Sequence, residues 1–190
     1  MISDLKQAIE SLKVPDRPAI IGLSGFSGSG KSSLALSLAA ELSGTQVLES
    51  DVFWRPDSNH LSDEWLAIDR HSIRKDVLIP ARAGRPVAFR PWNWEEKRLD
   101  DAVVLPQCER ILLEGIGIFH PDLTNLFDLR IWVDAPFDAS MENGMRRDRE
   151  TYGLTNDAEW REVWIPNERA YFERFRPDRM ADLVVPWFGG

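Results

Sequence analysis

Gly25-Phe26-Ser27-Gly28-Ser29-Gly30-Lys31-Ser32 is the stretch whose reading decides the fold. It fits G-x-x-x-x-G-K-[ST] at every position, and its flanks are those the pattern requires. Ahead of it, Ala19-Ile20-Ile21-Gly22-Leu23-Ser24 is an apolar run too short for a helix and reads as a buried strand. Behind it, KSSLALSLAAEL from Lys31 is a strong helix former, and Gly44 stands where a C-terminal cap belongs. The unit is strand, glycine loop, helix. Glycines let the backbone curl around phosphate oxygens, the helix points its positive N-terminal end at them, and Lys31 reaches the β and γ phosphates. Ser32 offers the hydroxyl that Mg²⁺ favours, since that ion takes oxygen ligands. The expected ligand is ATP with Mg²⁺, gripped by residues Gly25 through Ser33.

Working outward, Thr45 to Glu49, Arg110 to Leu113, Leu129 to Val133 and Leu183-Val184-Val185 resemble the first strand. Helical patterns lie between them, at His71 to Ala83, where Pro80 is expected to break or kink the helix, and at Asp138 to Arg149. Leu5, Ile9 and Leu12 predict a short opening helix with Ser3 as N-cap and Pro15 as its stop. Strands alternating with helices indicate an α/β domain around a parallel sheet, whose ligands bind beyond the carboxyl ends of the strands. Two carboxylates fall at such ends. Asp51, after TQVLES, can accept the proton of an attacking hydroxyl or face the metal, although a turn residue would look the same. Glu114, ending ILLE, occupies the place of a metal-side carboxylate. Asp134 is followed by Ala135-Pro136 and suits helix capping or a turn.

The length of 190 residues favours one compact unit. With 31 acidic against 23 basic residues the formal charge is −8, the wrong sign for a broad grip on nucleic acid or anionic lipid. No apolar run of about 18 residues exists, and MISDLKQAIESLK has no signal-peptide core, so a cytoplasmic protein with no membrane partner is expected. Cys108 is the single cysteine, which excludes an internal disulfide and a multi-thiolate metal site. His60, His71 and His120 lack metal-ligand spacing.

GFSGSGKSS, SDVFWR, ILLEGIGIF, LRIWVDAP, RRDRETYG and RMADLVV, in this order from about Ala19 to Val185, resemble the uridine kinase family of P-loop kinases, in the group that includes phosphoribulokinase and pantothenate kinase. The resemblance implies an α/β fold of the P-loop NTPase kind, a three-layer sandwich with a five-stranded parallel sheet. It implies one domain over 1–190, with an acceptor-binding segment at about 52–100 and a small mobile lid at about 143–160. It also implies transfer of the γ-phosphoryl group of Mg·ATP to a hydroxyl of a small metabolite: a nucleoside such as uridine or cytidine, with pantothenate or another riboside as alternatives. By position, Asp51 corresponds to the family's base, Glu114 to its metal-side carboxylate, Arg147 to a lid arginine, and Arg149 stands beside it on the nucleotide side. Arg146, Arg147 and Arg149 form a cationic cluster in an acidic chain, a pattern that a solvated helix end also shows. Two departures stand out. The family's extra arginine pair one turn earlier is replaced by Asn143-Gly144, and its Pro-x-Tyr-Asp segment by Arg90-Pro91-Trp92-Asn93, with Trp92 in the tyrosine's place.

Several of the eight tryptophans, including Trp54, Trp92 and Trp94, lie in polar stretches. Their indole faces can stack on a planar or sugar-like acceptor, with Asp69, Arg70 and Asn93 supplying hydrogen bonds; burial against the sheet is the other reading and is preferred for Trp132. His71 suits helix capping as well as substrate contact. A nucleotide-dependent switch or hydrolase is the competing function, but Asn-Lys-x-Asp and a post-strand Asp-x-x-Gly are both missing. An ATP-sensing module without turnover is disfavoured by the intact Lys31, Ser32, Asp51 and Glu114. Homo-oligomerisation is left open.

Overall fold

The computed structural model describes residues 2–58 and 60–187. Strand β1 (Ala19–Gly25), which feeds the glycine loop, is buried along its whole length. With β2 (Thr45–Glu49), β3 (Arg110–Glu114), β4 (Leu129–Asp134) and β5 (Leu183–Pro186) it forms a five-stranded sheet in the order β2-β3-β1-β4-β5. Every ladder is parallel, and Ile21 at the centre faces Leu112 on one side and Leu129 on the other. Parallel strands covered on both faces need apolar side chains on both, which is why these segments read as continuous apolar runs rather than alternating ones.

Alternate side chains supply two cores. Ile21, Leu23, Leu112, Ile131 and Val133 meet Leu5 and Ile9 of α1 (Ile2–Glu10) and Leu34, Ala35 and Leu38 of α2 (Lys31–Glu41). Ile20, Ile111, Leu113 and Trp132 face the opposite layer. That layer consists of α3 (residues 70–82), α4 (Phe137–Tyr152) and α5 (residues 157–175), which contribute Ile73, Val77, Leu78, Met141, Met145, Trp160 and Tyr171. Helices on both faces of a parallel sheet make the expected three-layer sandwich.

The helix ends depart from expectation in instructive ways. Pro80 does not break α3: a stretch of π type, Ile73–Leu78, precedes it and leads into Ile79–Arg82. Proline lacks an N–H and its ring crowds the carbonyl four residues back; the wider turn makes room without ending the helix. The same device recurs in α5, where Trp160–Trp164 is of π type ahead of Pro166. Helix α1 already includes Ser3 in its first turn, so Ser3 does not cap it, and it ends at Glu10, short of Pro15. Leu42 carries the C-cap of α2, while Gly44, at φ +72°, turns the chain into β2. Asp134 closes β4, and Pro136, not Asp134, sits at the N-cap of α4. Among the described residues, no helix is long and apolar enough to cross a membrane.

Residues 88–104 form two short antiparallel rungs, Ala88–Phe89 with Val103–Val104 and Trp92–Asn93 with Arg98–Leu99. Phe89 packs on Phe53 at 5.1 Å between ring centres, fastening this hairpin region to the segment that follows β2.

Candidate active site

The loop leaves the carboxyl end of the central strand and is anchored by its second residue. Phe26 is buried among Trp132, Phe137 and Phe172, at 5.3, 4.9 and 4.9 Å between ring centres, so its side chain belongs to the core and only its backbone faces the cleft. Its carbonyl accepts a hydrogen bond from Lys31 Nζ at 3.3 Å. Gly28, at φ +70°, comes so close to α4 that a Cβ there would lie 2.1 Å from the Ser140 carbonyl oxygen. Gly30 then occupies the N-cap of α2, and the first-turn amides of Lys31, Ser32 and Ser33 have no acceptor within the helix, as at any helix start. Donors and helix end converge on one place, the physical requirement for an anion cradle.

Both predicted carboxylates border that cradle. Ser32 Oγ donates to Glu114 Oε1 at 2.8 Å, and Glu114 is only 4% exposed. Burial pushes the Glu114 pKa up; the Lys31 charge and the Ser32 hydrogen bond pull it down, while Asp51 and Glu49 push it further up. Asp51 lies on the surface in the turn Ser50–Phe53. The ends of β2 and β3 touch at Gly115, whose φ of +147° and contact with Ser50 leave no space for a side chain: a Cβ would stand 1.8 Å from Ser50 Oγ. Ser24 Oγ donates to the Gly115 carbonyl at 2.8 Å, tying β1 into the same corner. Ser32 is thus in direct contact with Glu114, and the charges of Lys31 and Asp51 both act on that carboxyl.

The residues fit Mg²⁺. Glu114 Oε2 is buried with no hydrogen-bond partner, beside the Ser32 hydroxyl and near the Asp51 carboxylate, an all-oxygen donor set. No group of three or more His, Cys, Asp or Glu side chains suited to a metal occurs among the described residues. An ion held at Ser32 and Glu114 would be completed by phosphate and water.

The remaining predicted residues are placed as follows. Asp69 caps α3: its Oδ1 accepts from the Ser72 amide at 3.1 Å and its Oδ2 from Ser72 Oγ at 2.9 Å, so Asp69 and not His71 does the capping. Arg70 donates to the Trp65 carbonyl at 3.1 Å and pairs with Glu64 at 3.4 Å; Glu64 also contacts His120 at 3.1 Å and Arg174 at 2.7 Å. Asn93 closes the hairpin, donating to Asp100 at 3.0 Å and accepting from the Glu95 and Glu96 amides. These three side chains are engaged within the fold. Trp54 and Trp92 are half-buried, and Trp54 packs on the exposed Trp94 at 5.1 Å between ring centres. Arg147 pairs with Asp148 at 2.8 Å and lies over the Tyr152 ring, while Arg149 pairs with Asp157 at 3.0 Å.

At Gly144 the departure has a steric reason. Trp160 is buried against Gly144, where a Cβ would lie 2.5 Å from the indole Cη2, and its Nε1 donates to Asp148 Oδ2 at 2.9 Å. An arginine at 144 has no room.

One residue of the site went unnoticed in the sequence. Glu168 of α5 is 1% exposed, and its Oε1 accepts the amide of Ser27, inside the glycine loop, at 2.7 Å. Burial raises its pKa from 4.5 to about 7, against the opposing pull of Lys31 and the Ser27 hydrogen bond and with a further push from Asp51. Its second oxygen, Tyr171 Oη and Trp132 Nε1 are buried without partners, and all three side chains line a cavity of about 10 Å³, room for a single water molecule. The available signal was spacing: Glu168 falls in register with Ile165, Tyr171, Phe172 and Phe175, a carboxylate on the apolar stripe of its helix.

This arrangement has counterparts among known proteins. Uridine kinase of Limosilactobacillus reuteri (strain DSM 20016) is 26% identical over 188 residues, covering 93% of this chain and 86% of its own. The chain is a distant homologue of the uridine kinase-like P-loop kinases. In structure, a possible uridine kinase from Bacillus stearothermophilus matches this chain with a TM-score of 0.74 at 19% identity, over 96% of both chains. D-glycerate 3-kinase from Cryptococcus neoformans matches with a TM-score of 0.63 at 11% identity, over 93% of this chain and 88% of that one. At such identities these two likenesses speak to the fold. No protein-family model matches the chain.

Proposed function

We propose that this kinase moves the γ-phosphoryl group of ATP to a hydroxyl of a small metabolite, with a nucleoside as the first acceptor class to test. The observation that carries the reading is the Ser32–Glu114 contact of 2.8 Å at the mouth of the glycine loop, with Asp51 electrostatically coupled to the same carboxyl.

Phosphoryl transfer asks little covalent chemistry of a protein; catalysis is positioning and electrostatic stabilisation. The loop amides and Lys31 hold the phosphate oxygens. Ser32 and Glu114 would hold Mg²⁺, which when bound neutralises charge on the phosphates. Asp51 accepts the proton of the acceptor hydroxyl as its oxygen bonds to the γ-phosphorus and the bond to the β-phosphate oxygen breaks. Arg147 and Arg149, now paired with Asp148 and Asp157, lie at the helix end from which positive charge can reach the transferring group. The Trp54–Trp94 pair offers an aromatic surface for a planar or sugar-ring acceptor.

ADP release by purified protein, with and without nucleosides, other ribosides, pantothenate, sugars and hydroxy acids, tests the reading. Acceptor-dependent release is expected. Steady release without any acceptor would indicate a hydrolase, and tight ATP binding without release a sensor.

A further inference from the structure

We propose that Asn167 and Glu168, adjacent residues of α5, position the donor's phosphate loop and the segment leading from Asp51 into the acceptor side relative to each other. The idea rests on the ATP reading above and adds to it the parts that hold the two substrates in register.

The two side chains point to opposite clients. Glu168 takes the Ser27 amide of the phosphate loop at 2.7 Å. Asn167, 7% exposed, accepts the Ser62 amide at 2.7 Å through Oδ1 and donates to the His60 carbonyl at 2.9 Å through Nδ2. One turn of one helix thus grips the backbone of the phosphate loop and of the segment at His60 and Ser62, and it grips backbone, whose position does not depend on rotamers. The helix itself returns from the arginine-bearing end of α4 through residues 153–156, and its π-type stretch and Pro166 lie immediately ahead of the pair.

The chemistry of the pair argues against a role in packing alone. A buried carboxyl with one unpartnered oxygen is a poor choice for filling space, where an apolar side chain of similar volume serves better. A carboxyl does one thing such a side chain cannot: it accepts the Ser27 N–H. Misplacing reacting groups by about 1 Å costs on the order of 10²-fold in rate. This magnitude is expected from loss of the contact.

The test compares Glu168→Met, which keeps volume but removes the acceptor, with Glu168→Gln, which keeps an acceptor oxygen. Thermal midpoint, kcat and KM for ATP, and the Ser27 amide proton shift by NMR without nucleotide are measured for both and for the parent. Glu168→Met is expected to remain folded, to lose kcat/KM by about 100-fold and to move the Ser27 proton upfield; Glu168→Gln restores both to near the parent's values. Asn167→Ala is expected to lower kcat and raise the acceptor KM while leaving the ATP KM near the parent's. A folded Glu168→Met variant whose kcat/KM stays within about threefold of the parent, or whose Ser27 amide does not move, overturns the proposal. A parent protein that releases no ADP with any acceptor would count against the kinase reading instead, and the Ser27 shift would still decide whether Glu168 holds the loop.

Discussion

Raising the pH should weaken the fold through one identifiable side chain. Below about pH 4.5, Glu168 is protonated in both the folded and the unfolded chain and contributes no pH dependence. Between 4.5 and about 7 the unfolded chain releases this proton while the folded chain keeps it, so stability falls as pH rises; above about 7 the side chain is ionised in both states and the full penalty remains. The gap between 4.5 and about 7, at about 1.4 kcal/mol per pH unit, amounts to about 3 kcal/mol. For a chain of this size that corresponds to roughly 6–12 °C in Tm. Other groups also titrate: Glu114 is raised in the same sense, while Asp128 and Asp182 are lowered by Arg17 and Arg130 and lose stability as pH falls. Urea denaturation of the parent and of Glu168→Gln at pH 5 and pH 8 removes this shared background. Because the unfolded chain has already released most of this proton at pH 5, the variant should gain on the parent by about 2–3 kcal/mol between the two pH values. Parallel behaviour of the two proteins would refute the burial argument.

Three further outcomes are expected. Asp51→Asn should reduce kcat by about 10²–10⁴-fold with the KM for ATP little changed, read from initial rates with a working acceptor; a near-normal kcat would remove Asp51 as the base. Lys31→Ala should abolish ATP binding in calorimetry, since it deletes the cation that faces both Glu114 and Glu168; unaltered binding would place the phosphates elsewhere. Gly144→Ala should destabilise the protein by about 1–3 kcal/mol in chemical unfolding, because the new methyl meets Trp160, although alanine is the better helix former by about 1 kcal/mol; a stabilised variant would mean that the Trp160 contact is loose.

What could be read in advance was whatever local spacing encodes. Residues 25–32 carry their geometry in three closely spaced glycines and a lysine, and the five apolar runs announce buried parallel strands because both faces are covered. Glu114 was legible as a candidate because its apolar run ends there, as the strand does; Asp51 was read as ending its run, whereas β2 stops at Glu49 and Asp51 lies in the turn that follows. Tertiary contacts hid the rest. The burial of Glu168 depends on the glycine loop lying against α5, and Gly144 acquires its meaning from Trp160, sixteen positions later in the chain. Pro80 and Pro166 look like helix breakers until a π-type turn absorbs each. Asp69 and Asn93, polar residues in a stretch rich in tryptophan, read as ligand contacts, yet a helix cap and a hairpin turn have first claim on the same hydrogen-bonding capacity.

A crystal structure with Mg²⁺ and a non-hydrolysable ATP analogue tests the central claim most directly. The account predicts the β and γ phosphates within the curl of residues 25–32, Mg²⁺ about 2.1 Å from Ser32 Oγ with Glu114 bonded to it directly or through one water, and Asp51 facing the γ-phosphate across a gap wide enough for a hydroxyl. Phosphates seated away from Lys31, or an Asp51 carboxylate turned out of the cleft, would contradict it.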